Sequence, residues 1–118
     1  MAFEQVASVG DIEPGATKVV TVQGREVVLA RVGDGYFAVD NRCPHMGGHL
    51  GRGTLEGTVI TCPLHGSQFD VTDGRALRWT SLGGFAAKLA RLIRPPRSVR
   101  TYGVKMEDQR IMVEVHTE

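Results

Sequence analysis

Cysteine is scarce in this chain, with Cys43 and Cys62 the only two among 118 residues. Two cysteines cannot form the disulfide framework that stabilises many small secreted domains. No apolar run approaches the roughly 18 residues needed to span a bilayer, and residues 1–15 lack the basic start and apolar stretch of a signal peptide. We therefore expect a cytoplasmic protein with no membrane span, in which both thiols stay reduced.

Motifs that bind common organic cofactors or nucleic acids are also missing. No Gly-x-Gly-x-x-Gly pattern follows a predicted strand, so nicotinamide or flavin binding is not supported. Residues 75–105 are basic, but their Lys and Arg side chains do not alternate with aromatic ones, which argues against nucleic-acid binding. The sequence therefore gives no support for a nicotinamide- or flavin-dependent enzyme, and we expect no nucleic-acid partner.

Most of the chain has the pattern of short strands separated by glycine turns. Its length, with 42% apolar and 23% charged residues, fits one globular domain over residues 1–118. Runs rich in β-branched residues or of alternating polarity predict six strands, at Glu4–Ala7, Thr17–Val22, Arg25–Val32, Tyr36–Asp40, Thr101–Met106 and Ile111–Val115. We predict an all-β fold, an antiparallel sandwich or barrel.

Two regions depart from this strand pattern. Residues 43–74 are rich in glycine, contain both cysteines and show little periodicity, which indicates loops where the backbone approaches another group closely. Residues 81–94 instead predict one short inserted helix, ended by Pro95–Pro96. Its apolar face comprises Phe85, Leu89, Leu92 and Ile93, and its basic face comprises Lys88, Arg91 and Arg94.

Four candidate metal ligands occur in two short motifs, Cys43-x-His45 and Cys62-x-x-His65, with sixteen residues between His45 and Cys62. Thiolates with imidazoles suit iron or zinc. Zinc fingers pair cysteine with cysteine and histidine with histidine, whereas each motif here supplies one of each. Two such loops could face each other across a two-iron core. A structural zinc site and a Cys43–Cys62 disulfide are the alternatives.

The stretches CPHMGGHL (43–50) and CPLHGSQFD (62–70) resemble the Rieske signature, with Gly47, Leu50 and Gly66 at the expected positions. The resemblance extends over the chain except for about 81–94. It implies one 2Fe–2S cluster per chain, held in a small subdomain built from loops 43–50 and 62–68. The resemblance also implies that both cysteines bind one iron and both histidines the other, redox-active iron. Rieske potentials run from about −150 to +300 mV.

Within the family, the chain is most similar to the soluble ferredoxins of bacterial ring-hydroxylating dioxygenases. The extra cysteine of respiratory Rieske loops is absent here, with Leu64 at its place in the second loop. Ser67 stands at a position where a serine hydroxyl bonds the cluster and raises its potential, but Phe69 replaces the companion tyrosine. We therefore expect a potential in the lower half of the Rieske range. The small Rieske-type subunit of nitrite reductase is the alternative.

The resemblance implies an electron carrier, not an enzyme, with a flavin reductase as electron donor and an oxygenase, or another oxidoreductase, as acceptor. Residues 75–105 hold eight Lys or Arg and no acid, whereas residues 1–74 hold five basic and nine acidic residues. A segment of one charge sign favours an acidic partner. We therefore predict that residues 75–105, including the helix at 81–94, form a docking patch.

Two further side chains are expected to have no redox role. His49 follows His45 by four residues and should be an exposed loop residue. Tyr102 should pack in the core, as buried aromatic side chains usually do.

Overall fold

A computed structural model describes residues 2–44, 48–63, 66–78 and 98–115 of the chain. These residues form eleven strands and one 3₁₀ helix, which spans Leu50–Arg52. The strands are β1 Ala2–Ser8, β2 Thr17–Val22, β3 Arg25–Val32, β4 Gly35–Asp40, β5 Thr54–Glu56, β6 Val59–Thr61, β7 Gln68–Asp70, β8 Ala76–Arg78, β9 Thr101–Tyr102, β10 Val104–Glu107 and β11 Arg110–Val115.

The described strands form three open antiparallel sheets, which we name by their place in the chain. The terminal sheet has the order β1-β11-β10, the central sheet β2-β3-β4-β9, and the loop sheet β5-β6-β7-β8. The all-β prediction is thus confirmed, with open sheets in place of a closed barrel. Among the described residues, none belongs to a helix with the length and apolar character that crossing a bilayer requires.

The hairpin of β2 and β3 has the predicted bounds, because its turn residues determine the register locally. Gln23 and Gly24 both have positive φ angles, of 49° and 81°, as in the two-residue turns that match the twist of paired strands. Thr17 therefore pairs with Ala30, and Val22 pairs with Arg25.

Strand β3 is buried on both faces, so the central sheet separates two apolar cores. Val27 and Leu29 face one core, against the terminal sheet, and Val28 and Ala30 face the opposite side. We call the first of these the outer core; its buried members are Ala7, Ile12, Val20, Val22, Val27, Leu29, Tyr36, Ala38, Tyr102, Ile111 and Val113. On the opposite side lies a second core, which we call the cysteine core because it includes both cysteines. Its buried members are Val28, Ala30, Val39, Cys43, Leu50, Ile60, Cys62, Phe69, Val71 and Val99.

Two of the predicted elements differ from the structure. The strand predicted at Thr101–Met106 is interrupted at Gly103: β9 pairs with β4 in the central sheet, whereas β10 pairs with β11 in the terminal sheet. The region 43–74, predicted as loop, contains β5, β6 and β7. Strands of three residues are too short for a detectable alternation of polarity, and their pairing is determined by tertiary contacts. The helix predicted at 81–94 lies outside the described residues.

Candidate metal centre

Each of the two predicted cluster loops is closed by a backbone hydrogen bond of the same type. In the first loop (43–50), the amide N of Cys43 donates to the carbonyl oxygen of Gly48 at 2.8 Å. In the second loop (62–68), the amide N of Cys62 donates to the carbonyl oxygen of Ser67, also at 2.8 Å. Each bond joins a cysteine to the fifth residue after it. Both cysteines therefore begin a tight loop of equal span, although the histidine spacing differs between the two motifs.

Both thiols lie in the same buried apolar environment. Cys43 and Cys62 are each only 2% exposed, and both belong to the cysteine core. No disulfide joins them, so the disulfide alternative is not supported. Two cysteines are half of the Cys₂His₂ ligand set of a Rieske-type 2Fe–2S cluster, and the burial of both thiols at matching loop positions fits that group.

His45 and His65 lie outside the described residues, so the structure describes the cysteine half of the predicted ligand set. Within residues 2–44, 48–63, 66–78 and 98–115, no three His, Cys, Asp or Glu side chains are placed to hold a metal ion. Ligation by the two histidines therefore remains a prediction from the sequence.

The described residues contain two buried side chains classed as polar or charged, and both lie at the cluster loops. Asn41, 4% exposed, precedes Cys43 by two residues, and Ser67, 0% exposed, is in the second loop. Ser67 was predicted from the sequence as a cluster contact, and its burial is compatible with that prediction. Asn41 was missed, because an asparagine near a loop usually indicates a turn; its position beside a ligand motif was the available signal.

The other residues singled out in the sequence are placed by the structure as follows. Phe69 is fully buried in the cysteine core, and Tyr102 is buried in the outer core as predicted. His49 is exposed as predicted, but its Nδ1 atom also lies 3.3 Å from the side-chain Nδ2 of Asn41. Its ring therefore has a defined contact at the end of the first loop.

Basic residues are exposed near the first loop. Arg42 is exposed and forms an isolated β-bridge with His49. Arg100, also exposed, accepts a backbone hydrogen bond from Asp40, three residues before Cys43. The backbone of one member of the basic segment 75–105 thus lies beside the end of strand β4, which leads into the first loop. Lys88, Arg91 and Arg94 lie outside the described residues.

Comparison with known proteins agrees with this fold and with these loops. The Rieske [2Fe-2S] domain family matches residues 2–103. A ferredoxin component of a naphthalene 1,2-dioxygenase system from Pseudomonas aeruginosa is 37% identical over 105 residues, which cover 89% of this chain and 88% of that protein.

Two solved structures share the fold over almost the whole chain. The ferredoxin of carbazole 1,9a-dioxygenase from Nocardioides aromaticivorans IC177 has a TM-score of 0.79 and 28% identity, covering 96% of this chain and 97% of its own. A chain from a complex of reduced oxygenase and oxidized ferredoxin in carbazole 1,9a-dioxygenase has a TM-score of 0.76 and 26% identity, covering 94% of this chain and 91% of its own.

The β-sheet layers and the paired loops define a small iron–sulfur domain. The chain belongs to the Rieske [2Fe-2S] domain family, and it is similar to ferredoxin components of dioxygenase systems.

Proposed function

We propose that this protein is a Rieske ferredoxin that carries single electrons from a reductase to the terminal oxygenase of an aromatic-ring-hydroxylating system. The observation that carries the proposal is the pair of buried cysteines in matching loops, in a chain similar over most of its length to dioxygenase ferredoxins. The protein acts as an electron carrier, and the partner oxygenase performs the catalysis. We place it in the cytoplasm, where such a carrier would meet its partners.

The proposed ligands are Cys43, His45, Cys62 and His65, and they hold one 2Fe–2S cluster per chain. When bound, this cluster supplies a site that accepts and releases one electron. The cysteine core surrounds both thiols with apolar side chains and keeps water from the sulfur side of the centre. The two closed loops keep the thiols in place as the charge of the centre changes, which reduces the reorganisation needed for electron transfer.

We further propose that the basic segment 75–105 docks an acidic surface of a partner. Arg100 supports this proposal, because its backbone pairs with Asp40 beside the first loop. Reversal of three charges, at Lys88, Arg91 and Arg94, should slow electron transfer at low ionic strength and weaken its dependence on salt. Arg110→Glu is a single-charge control, since Arg110 lies in the terminal sheet, outside the basic segment, and its ion pairs are with the exposed carboxylates of Glu107 and Asp108. If electron transfer in both variants keeps the wild-type rate and salt dependence, the partner docks on another surface of the protein.

Chemical analysis and spectroscopy of the purified protein test the proposed centre. We expect two irons and two sulfides per chain, and an electron paramagnetic resonance spectrum of the reduced protein with the low average g-value of mixed histidine and cysteine ligation. A colourless protein that contains zinc would exclude the proposed function and favour a structural zinc site. A spectrum typical of four cysteine ligands would exclude ligation by His45 and His65.

The small subunit of a nitrite reductase is the second candidate, and it has less support. Relatives that are 37% and 36% identical to this chain are ferredoxin components of dioxygenase systems. Electron transfer from the reduced protein to a purified ring-hydroxylating oxygenase, measured by oxidation of the cluster, separates the two candidates.

A further inference from the structure

We propose that Asn41 is a positioning residue for the first loop: its buried side chain holds the end of this loop and thereby sets the environment of Cys43. This inference rests on the proposed function, because it assigns Asn41 a role toward the proposed centre. Asn41 lies at the end of strand β4, two residues before Cys43, and is 4% exposed. A buried amide side chain is costly unless its polar atoms are hydrogen-bonded.

Asn41 has four polar groups, and each of them has a partner. Its backbone N donates to the carbonyl oxygen of Glu26 at 3.1 Å, and its backbone oxygen accepts from the amide of Leu50 at 2.8 Å. Its side-chain Oδ1 accepts from the amide of Gly51 at 2.8 Å. Its Nδ2 faces Nδ1 of His49 at 3.3 Å. Asn41, which precedes the loop, therefore contacts three consecutive residues, 49–51, at the other end of the loop.

The amide of Gly51 also determines the orientation of the Asn41 side chain. A backbone N–H can only donate, so the side-chain atom that it contacts must be the oxygen. The nitrogen Nδ2 is then directed at His49, whose Nδ1 accepts when the ring carries its proton on Nε2. Both ends of the amide group thus have complementary partners.

Packing around this contact leaves little room for an alternative arrangement. A Cβ atom on Gly51 would lie 3.0 Å from Oδ1 of Asn41 and would also overlap the side chain of Val19. The preceding residue, Leu50, is fully buried in the cysteine core with Cys43 and Cys62. Loss of the Asn41 side chain would remove its bonds to His49 and Gly51, on either side of Leu50, and would therefore loosen the packing of Leu50 beside both thiols.

The second loop offers a comparison, because its ends are also joined by side chains. Nε2 of Gln68 donates to Oγ1 of Thr61 at 3.2 Å, but these two residues are already paired across β6 and β7. Backbone pairing therefore holds the second loop without this side-chain bond. In the first loop the backbone pairing is limited to one bridge, between Arg42 and His49, with its hydrogen bonds from Cys43 to Gly48 and from Leu50 to Asn41. Because no strand ladder extends this bridge as β6 and β7 extend the pairing of the second loop, the side chain of Asn41 has the larger role.

Hydrogen exchange and redox measurements on the holoprotein test this inference. In Asn41→Ala, we expect amide exchange of residues 48–52 to become about tenfold faster, as the loss of a buried hydrogen bond predicts. We also expect a changed midpoint potential, a changed spectrum of the reduced protein, and faster loss of iron to a chelator. Asn41→Asp keeps an oxygen for the Gly51 amide and should partly restore slow exchange, whereas His49→Ala should have a smaller effect than Asn41→Ala.

Val113→Ala is the control for general destabilisation, because Val113 is fully buried in the outer core. This variant should lower the melting temperature but leave the midpoint potential unchanged. It should not speed the amide exchange of residues 48–52 selectively. The inference is overturned if Asn41→Ala retains wild-type exchange and potential, or if its effects match those of Val113→Ala. If Asn41→Ala does not fold, the same measurements on Asn41→Asp and His49→Ala test the positioning role of Asn41. If wild-type protein lacks iron and sulfide, the proposed function fails, while exchange of residues 48–52 still tests the positioning role.

Discussion

Gly53 lies so close to Thr61 that a Cβ atom on Gly53 would overlap the carbonyl oxygen of Thr61. Thr61 immediately precedes Cys62, so this contact joins the segment after the first loop to the start of the second. The φ angle of Gly53 is −85°, which any residue can adopt. Space alone therefore requires glycine at this position.

Gly53→Ala should destabilise the protein by about 1–3 kcal/mol, as overpacking of a tight site does, and should reduce the iron content of purified protein. The matched control is Gly35→Ala, because a Cβ atom there would be in ordinary contact, 3.5 Å from the Phe37 ring and from the carbonyl oxygen of Val32. Denaturant unfolding measures the stability of both variants, and iron analysis measures their iron content. Equal stability of the two variants would contradict the prediction.

Tyr102→Phe should stabilise the fold by about 1 kcal/mol, because an unpaired buried hydroxyl costs free energy. The hydroxyl of Tyr102 is buried and has no hydrogen-bond partner among the described residues, while its ring packs in the outer core. Calorimetry should show a higher melting temperature for Tyr102→Phe and a lower one for Tyr102→Leu, which removes the ring. A less stable Tyr102→Phe would mean that the hydroxyl has a partner.

Stability should fall at acidic pH as Asp70 becomes protonated. A hydrogen bond from the Thr72 hydroxyl, at 2.6 Å, and one from the Thr72 amide, at 2.9 Å, lower the pKa of Asp70 below its ordinary value of 3.8. The carboxyl of Asp70 therefore binds a proton more readily in the unfolded chain than in the folded protein. The contribution of Asp70 to the free energy of unfolding is complete above pH 3.8, and it is lost as the pH falls through the lower pKa of the folded state.

Thr72→Val should reduce this dependence of unfolding free energy on pH below 3.8, because it removes the hydroxyl bond. Asp34→Asn is the control, since Asp34 is an exposed turn carboxylate that makes no ion pair or side-chain hydrogen bond with the described residues. Urea unfolding between about pH 2.5 and pH 5 measures the effect. Parallel pH profiles for Thr72→Val and wild type would refute the assignment.

Ser67→Ala should lower the midpoint potential on the order of 50 mV. A hydrogen bond that is about 1 kcal/mol stronger in the reduced state corresponds to that shift for one electron. Ser67 is fully buried in the second loop, which is compatible with such a bond. Redox titration makes the measurement, and an unchanged or higher potential would rule the bond out. Ser8→Ala is the control, because Ser8 is an exposed serine in strand β1 of the terminal sheet.

The parts of the fold predicted most accurately were those determined by neighbouring residues. The hairpin of Thr17–Val22 and Arg25–Val32 was predicted with its observed bounds, because Gln23–Gly24 specifies its turn. The loop sheet was missed, since Ile60 and Phe69 are single buried residues in strands too short to show a period. The interruption at Gly103 was also missed, because a lone glycine in a strand does not reveal that the chain changes sheets.

By itself, the sequence supplied the four candidate ligands of the proposed centre, since two Cys/His motifs can be recognised from residue types and spacing, and the resemblance of those motifs to the Rieske signature predicted the cluster. It also determined the all-β class through local patterns of polarity and turns. Only the tertiary structure decided that Cys43 and Cys62 share one buried core and that Asn41 joins the two ends of the first loop. Those relationships depend on contacts between residues distant in the chain, where packing and hydrogen bonding act together and no local pattern records the outcome.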